Sequence, residues 1–394
     1  MTNEMVNVPE LRFSEFSGKW GEKSFEELFD FHNNLRKPIK ESHRVEGIYR
    51  YYGATGVIDF VNNYIFDGEY ILIGEDGANI ISRSAPLVYL AKGKFWVNNH
   101  AHILTPKNGD MYYLFLVAEN VNYLKYNTGT AQPKLNIQNL KNINVNIAID
   151  IDEQEKIGDF FSKLDRQIEL EEQKLAKLEE QKKGYMQKIF SQKIRFKDEN
   201  GNNYPVWQEN KLENIALKVK TKNFNNEYKE TFTNSAEFGI VSQRDFFDKD
   251  ISNEKNLTNY YIVEENDFVY NPRISNYAPV GPINRNKLGR TGIMSPLYTV
   301  FKVENINKLF LEYYFKTSQW HKFMKLNGDS GARSDRFTIK INIFMQMPIM
   351  MPAFEEQEKI GDFFSKIDNF IEKQSDKVEL LKERKKGFLQ KMFV

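Results

Sequence analysis

Residues 153–190 read EQEKIGDFFSKLDRQIELEEQKLAKLEEQKKGYMQKIF, and residues 356–393 read EQEKIGDFFSKIDNFIEKQSDKVELLKERKKGFLQKMF. The second stretch follows the first at a constant offset of 203, without a gap, and 23 of the 38 positions are identical. Agreement of that length is a duplication, and a repeat fixes the architecture before any local pattern does. Both copies are rich in Glu, Lys, Gln and Leu, lack proline, and hold glycine only at Gly158/Gly361 and Gly184/Gly387. That composition predicts two long helices.

An apolar seam runs along each copy at alternating spacings of three and four. It comprises Phe161, Leu164, Ile168, Leu175, Leu178, Tyr185 and Ile189 in the first, and Phe364, Ile367, Ile371, Val378, Leu381, Phe388 and Met392 in the second. Glu171 and Lys182, with Gln374 and Lys385, interrupt it at equivalent places. A stripe this narrow suits a coiled-coil partner, and the simplest partner is the other copy. Roughly 35 helical residues make a rod of about 50 Å.

Working outward, each helix closes a module of similar length. The edges of the modules echo one another: Arg12-Phe13 with Trp20 returns as Arg195-Phe196 with Trp207, and Gly129, Leu135 and Ile137 return as Gly331, Phe337 and Ile339. The middles read as diverged. In both, strand-like runs (Tyr70–Ile73, Leu87–Leu90, Asp267–Tyr270, Tyr298–Phe301) alternate with turn residues, while 111–124 and 309–323 read as helices. The expected fold class is therefore α+β. Two mixed α/β domains (1–150 and 192–352) are separated by two long antiparallel coiled-coil helices (151–191 and 353–394), with pseudo-two-fold symmetry.

The chain has no cysteine, which excludes disulfides and thiolate metal sites. No apolar run is long enough to span a membrane and no signal peptide opens the sequence, so the expectation is a cytoplasmic protein without membrane contact. The net charge of +1 conceals an asymmetry: residues 1–152 carry −3 and residues 192–352 carry +5. Only the second module has electrostatic support for binding phosphates.

The loops hold side chains that read base edges, because Arg pairs with guanine and Asn or Gln with adenine in the major groove. In the first module the candidates are Asn79, Arg83, Asn98, Asn99, His100, His102 and Lys134. In the second they are Gln243, Arg244, Arg273, Asn276, Arg285, Arg290, Arg333, Ser334 and Arg336. Against this stands the plainer reading that Asn in loops serves the backbone and surface Arg is solvated. Asn98–His102 also offers two histidines at i, i+2, but no third ligand lies nearby in the sequence, so no metal site is expected.

No phosphate-binding glycine loop is present. Asn271-Pro272-Arg273-Ile274 lacks the second proline and the aromatic of an amino-methyltransferase tetrad, and reads as a turn. Asp150, Asp152, Glu155 and Lys156 crowd together as nuclease groups do, yet they stand where a helix begins and where acids favour its dipole. No catalytic residues are assigned.

The duplicated Glu-Gln-Glu-Lys-Ile-Gly-Asp-Phe-Phe helices, the opening Pro9-Glu10-Leu11-Arg12-Phe13…Trp20 and the pre-helix Gly129…Leu135-Asn136-Ile137 together resemble the specificity subunits of type I restriction–modification systems. The resemblance spans the chain. It implies that each module is a target-recognition domain for one half of a split, asymmetric site in double-stranded DNA. It further implies that the helices set the gap and dock two methyltransferase (modification) subunits and restriction (translocase/nuclease) subunits. The chain would hold no cofactor, with S-adenosylmethionine, ATP and Mg2+ belonging to its partners. Two other classes remain open at this point: a self-contained methyltransferase or nuclease, and a coiled-coil adaptor that never touches DNA.

Overall fold

A computed structural model describes residues 7–129, 132–247, 254–329 and 335–394. The chain forms two compact units, residues 1–173 with 376–394 and residues 174–375.

Unit 1 is built on a six-stranded sheet in the order β2-β7-β5-β6-β3-β4. Its strands are β2 (Phe29–Phe31), β3 (Glu46–Gly53), β4 (Gly56–Val61), β5 (Phe66–Gly74), β6 (Val88–Val97) and β7 (Ala101–Pro106). A separate pair joins β1 (Gly21–Ser24) to β8 (Asn144–Ile147). In the central strand Ile71, Leu72 and Ile73 are all fully buried, as a strand covered on both faces must be. The helix Met111–Glu119 packs against β6 and β7, and its cap residue Asp110 accepts the Tyr113 amide at 2.7 Å. This helix is shorter than its sequence suggested. It stops at Glu119 because Tyr123 turns back and donates its hydroxyl to the Ala118 carbonyl at 2.8 Å.

Unit 2 carries a four-stranded sheet, β10-β17-β14-β15, made of β10 (Ala216–Lys218), β14 (Phe268–Tyr270), β15 (Ile283–Arg285) and β17 (Thr299–Val303). The pair of β9 (Gln208–Lys211) with β18 (Pro348–Met351) stands where unit 1 has β1 with β8. Two further ribbons stand in this unit: β11 (Phe232–Ser235) with β12 (Gly239–Ser242), and β13 (Tyr261–Val263) with β16 (Gly292–Met294). The helical pattern over 309–323 is two helices, Lys308–Phe315 and His321–Asn327. Between them Thr317 gives its hydroxyl to the Tyr314 carbonyl at 2.7 Å, and Trp320 gives its indole N–H to the Phe315 carbonyl at 3.1 Å.

The middles are duplicated as well, at an offset of 197. The β5–β7 register Ile71↔Leu104, Leu72↔Ile103, Ile73↔His102 returns in β14–β17 as Phe268↔Phe301, Val269↔Val300, Tyr270↔Thr299. The helix caps Asp110 and Asn307, and the terminating aromatics Tyr123 and Trp320, correspond at the same offset. The sequence conceals this repeat because a buried strand needs only apolar residues of suitable volume, and an N-cap accepts Asp or Asn equally.

The first long helix, Ile151–Phe190, begins in unit 1 and ends in unit 2; the second, Phe354–Met392, does the reverse. They run antiparallel in both units. In unit 1 Phe160 meets Phe388 at 5.1 Å and Lys385 pairs with Asp165 at 2.6 Å. In unit 2 Phe363 meets Tyr185 at 5.2 Å and Lys182 pairs with Asp368 at 2.5 Å. The polar slots at Lys182 and Lys385 are thus ion-pair positions. Phe161, Ile168, Ile189, Phe364, Val378, Leu381 and Met392 of the seam are buried; Leu164, Leu175, Leu178, Ile367, Ile371 and Phe388 are half-buried; Tyr185 is exposed.

Candidate nucleic-acid interface

The same anchor ties each domain to the start of its helix. Arg12 forks onto Glu153 at 2.6 and 2.7 Å, and Arg195 onto Glu356 at 3.1 and 2.5 Å, with both carboxylates fully buried. The next residues, Gln154 and Gln357, accept the cap amides of Asp110 and Asn307 at 3.2 and 2.9 Å. Gly158 and Gly361 let these caps approach: a Cβ at Gly158 would lie 2.0 Å from an Asp110 carboxylate oxygen, and one at Gly361 would lie 2.7 Å from Leu309 Cβ. An aromatic trio completes the anchor. Trp20, Tyr113 and Phe393 in unit 1 have ring centroids 5.7–6.1 Å apart, and Trp207, Phe310 and Phe190 in unit 2 have theirs 5.7–6.3 Å apart. A buried, rigid base of this kind leaves the far end of each sheet free to present side chains.

At that far end a short antiparallel bridge follows the central strand in both units. In unit 1 Asp76 stands opposite Lys134, flanked by Gly77 N–Pro133 O at 3.0 Å and Leu135 N–Glu75 O at 2.7 Å. In unit 2 Arg273 stands opposite Arg336, flanked by Ile274 N–Asp335 O at 3.1 Å and Phe337 N–Pro272 O at 2.7 Å. The recurring Leu135 and Phe337 are the inner residues of this bridge, and both are buried.

In unit 1 the candidate side chains are drawn into internal bonds. Asn79 is buried and holds Ala85 through its N–H and C=O groups at 3.0 and 2.9 Å, and buried Asn98 accepts the His100 amide at 2.8 Å. His102 is 1% exposed, with its Nε2 against the Leu135 carbonyl and its Nδ1 against Asn33, both at 2.8 Å. Burial depresses this imidazole's pKa, with the Leu135 carbonyl and Glu75 opposing; the neutral Nε2–H form satisfies both contacts. Burial raises the Glu75 carboxyl, but Arg36 at 2.5 Å, with Lys134, outweighs that and holds it below the ordinary range. Lys134 lies 3.5 Å from Glu75, His100 lies 2.8 Å from Asp76, and Arg83 reaches Glu119 at 2.7 Å. Of the seven, only Asn99 is exposed with no side-chain partner among the described residues.

In unit 2 Arg285 pairs with Glu312 at 2.7 Å and Arg290 with Glu230 at 2.7 Å. Burial raises Glu312, yet Lys316, Arg285 and Lys287 together hold it below the ordinary range. Gln243 donates to the Phe232 carbonyl at 3.4 Å, and Arg244 is exposed. Arg273, Asn276 and Arg336 are exposed, and no side-chain partner holds any of the three among the described residues. Arg333 and Ser334 lie outside the described residues. The described residues also contain no His/Cys/Asp/Glu group able to hold a metal ion, and no helix long and apolar enough to cross a membrane.

Residues 17–180 match the model of the type I restriction modification DNA specificity domain. A putative type I restriction enzyme specificity subunit of Haemophilus influenzae is 37% identical over 128 residues, a match covering 32% of each chain. The MjaVIII specificity subunit of Methanocaldococcus jannaschii is 25% identical over 387 residues, covering 89% of this chain and 87% of that one. The fold is that of a type I S subunit from M. genitalium, at TM-score 0.64 and 15% identity over 98% of this chain and 99% of that one. Residues 17–180 thus match a type I DNA specificity domain, and the chain as a whole is similar to type I specificity subunits in sequence and in fold. Sequence reading did not single out Tyr277. It is 80% exposed at the tip of the loop that carries Arg273, and an aromatic beside Asn and Arg was the available signal.

Proposed function

We propose that this chain is the DNA-reading subunit of a type I restriction–modification complex and performs no catalysis itself. Each unit reads one half of a split, asymmetric target, and the paired helices set the gap between the halves. The chain docks methyltransferase subunits, which supply S-adenosylmethionine-dependent adenine methylation, and restriction subunits, which supply ATP- and Mg2+-dependent translocation and cleavage.

The observation that carries this reading is one strand frame built twice in the same register, with different chemistry at its open end. A duplicated frame with unlike tips suits two unlike half-sites. Lys and Arg contacts to phosphate would supply much of the affinity, so binding falls steeply with salt. The test is to co-express the chain with its neighbouring methyltransferase subunit and sequence the host DNA for modified adenines. A single split motif with a fixed gap is expected, and exchanging residues 192–352 for those of another specificity subunit changes one half alone. Unmodified DNA from an assembled complex supplied with cofactor would sink this reading in favour of the adaptor.

A further inference from the structure

We propose that Arg273 and Arg336 form the base-reading pair of unit 2 and that the bases they read are guanines. The inference rests on the DNA-reading function proposed above and assigns it to particular side chains.

The two arginines are directly opposed across an antiparallel bridge. The flanking bonds, Ile274 N–Asp335 O and Phe337 N–Pro272 O, make them a non-hydrogen-bonded pair, the type whose side chains lie closest and on one face. Asp335, one residue along, alternates to the other face. Like charges directly opposed destabilise a ribbon. Two other cationic candidates of this unit are neutralised, Arg285 by Glu312 and Arg290 by Glu230. Arg273 and Arg336 remain exposed without a side-chain partner among the described residues. At the equivalent bridge, unit 1 places opposite charges, Asp76 and Lys134. A like-charged pair on a frame that tolerates the neutral alternative fits an acceptor-rich ligand.

The support beneath the pair is rigid. Asn271 accepts the Arg273 amide at 2.9 Å and donates to the Asn234 carbonyl at 2.7 Å. Asn234, itself buried, donates to the Val269 carbonyl at 2.7 Å and accepts from Asn284 at 2.7 Å. The loop then folds back through reciprocal bonds between Ser275 and Ala278, both at 3.1 Å, leaving Asn276 and Tyr277 at its tip. It returns through Gly281, where φ is +84° and a Cβ would lie 2.1 Å from the Asn271 carbonyl, so only glycine fits. The major groove admits two paired backbone segments, and there the planar arginine fork matches guanine O6 and N7. Fixed support makes such a fork selective.

The test uses the full chain in its assembled methyltransferase complex, with binding selected from duplexes randomised across both half-sites. The variants are Arg273→Gln, Arg336→Gln, and the charge-preserving Arg273→Lys and Arg336→Lys, each checked by thermal melting against the parent. The expected result is a half-target containing guanine. Each of the four variants then lowers discrimination at one guanine by about tenfold to a hundredfold, and the other half is unchanged. Two results would overturn the inference. In one, glutamine weakens all sequences equally and lysine restores binding, the behaviour of phosphate contacts. In the other, the selected motif is unaltered in every variant. A parent complex that selects no split motif would instead overturn the DNA-reading function, and this assignment with it.

Discussion

At the open end of its central strand, unit 1 sets Asp76 against Lys134, while unit 2 sets Arg273 against Arg336 in the same register. Beneath these ends the two units share one anchor: a forked arginine on a buried glutamate, a glutamine on a helix cap, a glycine under that cap and an aromatic trio. The difference teaches where freedom lies in such a fold. The buried anchor must satisfy charge and packing together, so few residues serve there. The exposed bridge is held by its backbone, so its side chains can change sign without loss of register. The segment charges of −3 and +5 agree with this division.

The comparison breaks most readily at the anchor. Glu153→Ala and Glu356→Ala each strand an arginine beside a buried face and should cost about 3–4 kcal/mol in denaturant unfolding. Glu356 also accepts the Trp207 indole N–H at 3.3 Å, whereas the Trp20 N–H is buried without an acceptor among the described residues. Glu356→Ala should therefore be the worse by about 1 kcal/mol. An equal or reversed order would show that the two anchors are not energetically distinct in this way.

The glycines sharpen the comparison within a single helix. Gly158→Ala and Gly361→Ala drive a methyl into the caps and should destabilise by about 2–3 kcal/mol. Gly184→Ala and Gly387→Ala meet open space and should stabilise by about 0.5–1 kcal/mol through helix propensity. Thermal melting of the four variants checks both signs.

The smallest effect concerns a group that unit 2 alone carries. Burial pushes the Asp267 carboxyl up to about 6, and the equivalent position in unit 1 is Tyr70. The ordinary value is about 4, so the folded state binds the extra proton between about pH 4 and pH 6. This group's contribution to stability therefore falls as pH rises through that window and is constant above it. Asp267→Asn keeps an acceptor for the Glu264 amide and should gain about 1 kcal/mol at pH 7 but nothing at pH 4. Melting curves of the two proteins that stay parallel with pH would exclude the effect.

The long helices were legible because a solvent-exposed coiled coil must repeat its seam in the sequence itself. The roles of Arg12, Arg195, Trp20 and Trp207 were legible only as echoes, since nothing local says that Arg12 meets a glutamate 141 residues away. The repeat inside the domains was hidden because strand register survives any exchange of apolar residues, as in Ile73 for Tyr270 opposite His102 and Thr299. Among the candidate readers, residue type alone did not separate His102, buried against the Leu135 carbonyl, from Arg273, exposed at a bridge. That separation is a matter of burial, which loop composition does not encode.

The aromatic trio of unit 1 borrows Phe393, and its core borrows Met392, from the second long helix and its end. Unit 2, residues 174–375, is continuous in the chain, whereas unit 1 also needs residues 376–394. Met392 and Phe393 are therefore synthesised only after the whole of residues 174–375. Trp20 and Tyr113 thus gain the third ring of their trio only once unit 2 has been made.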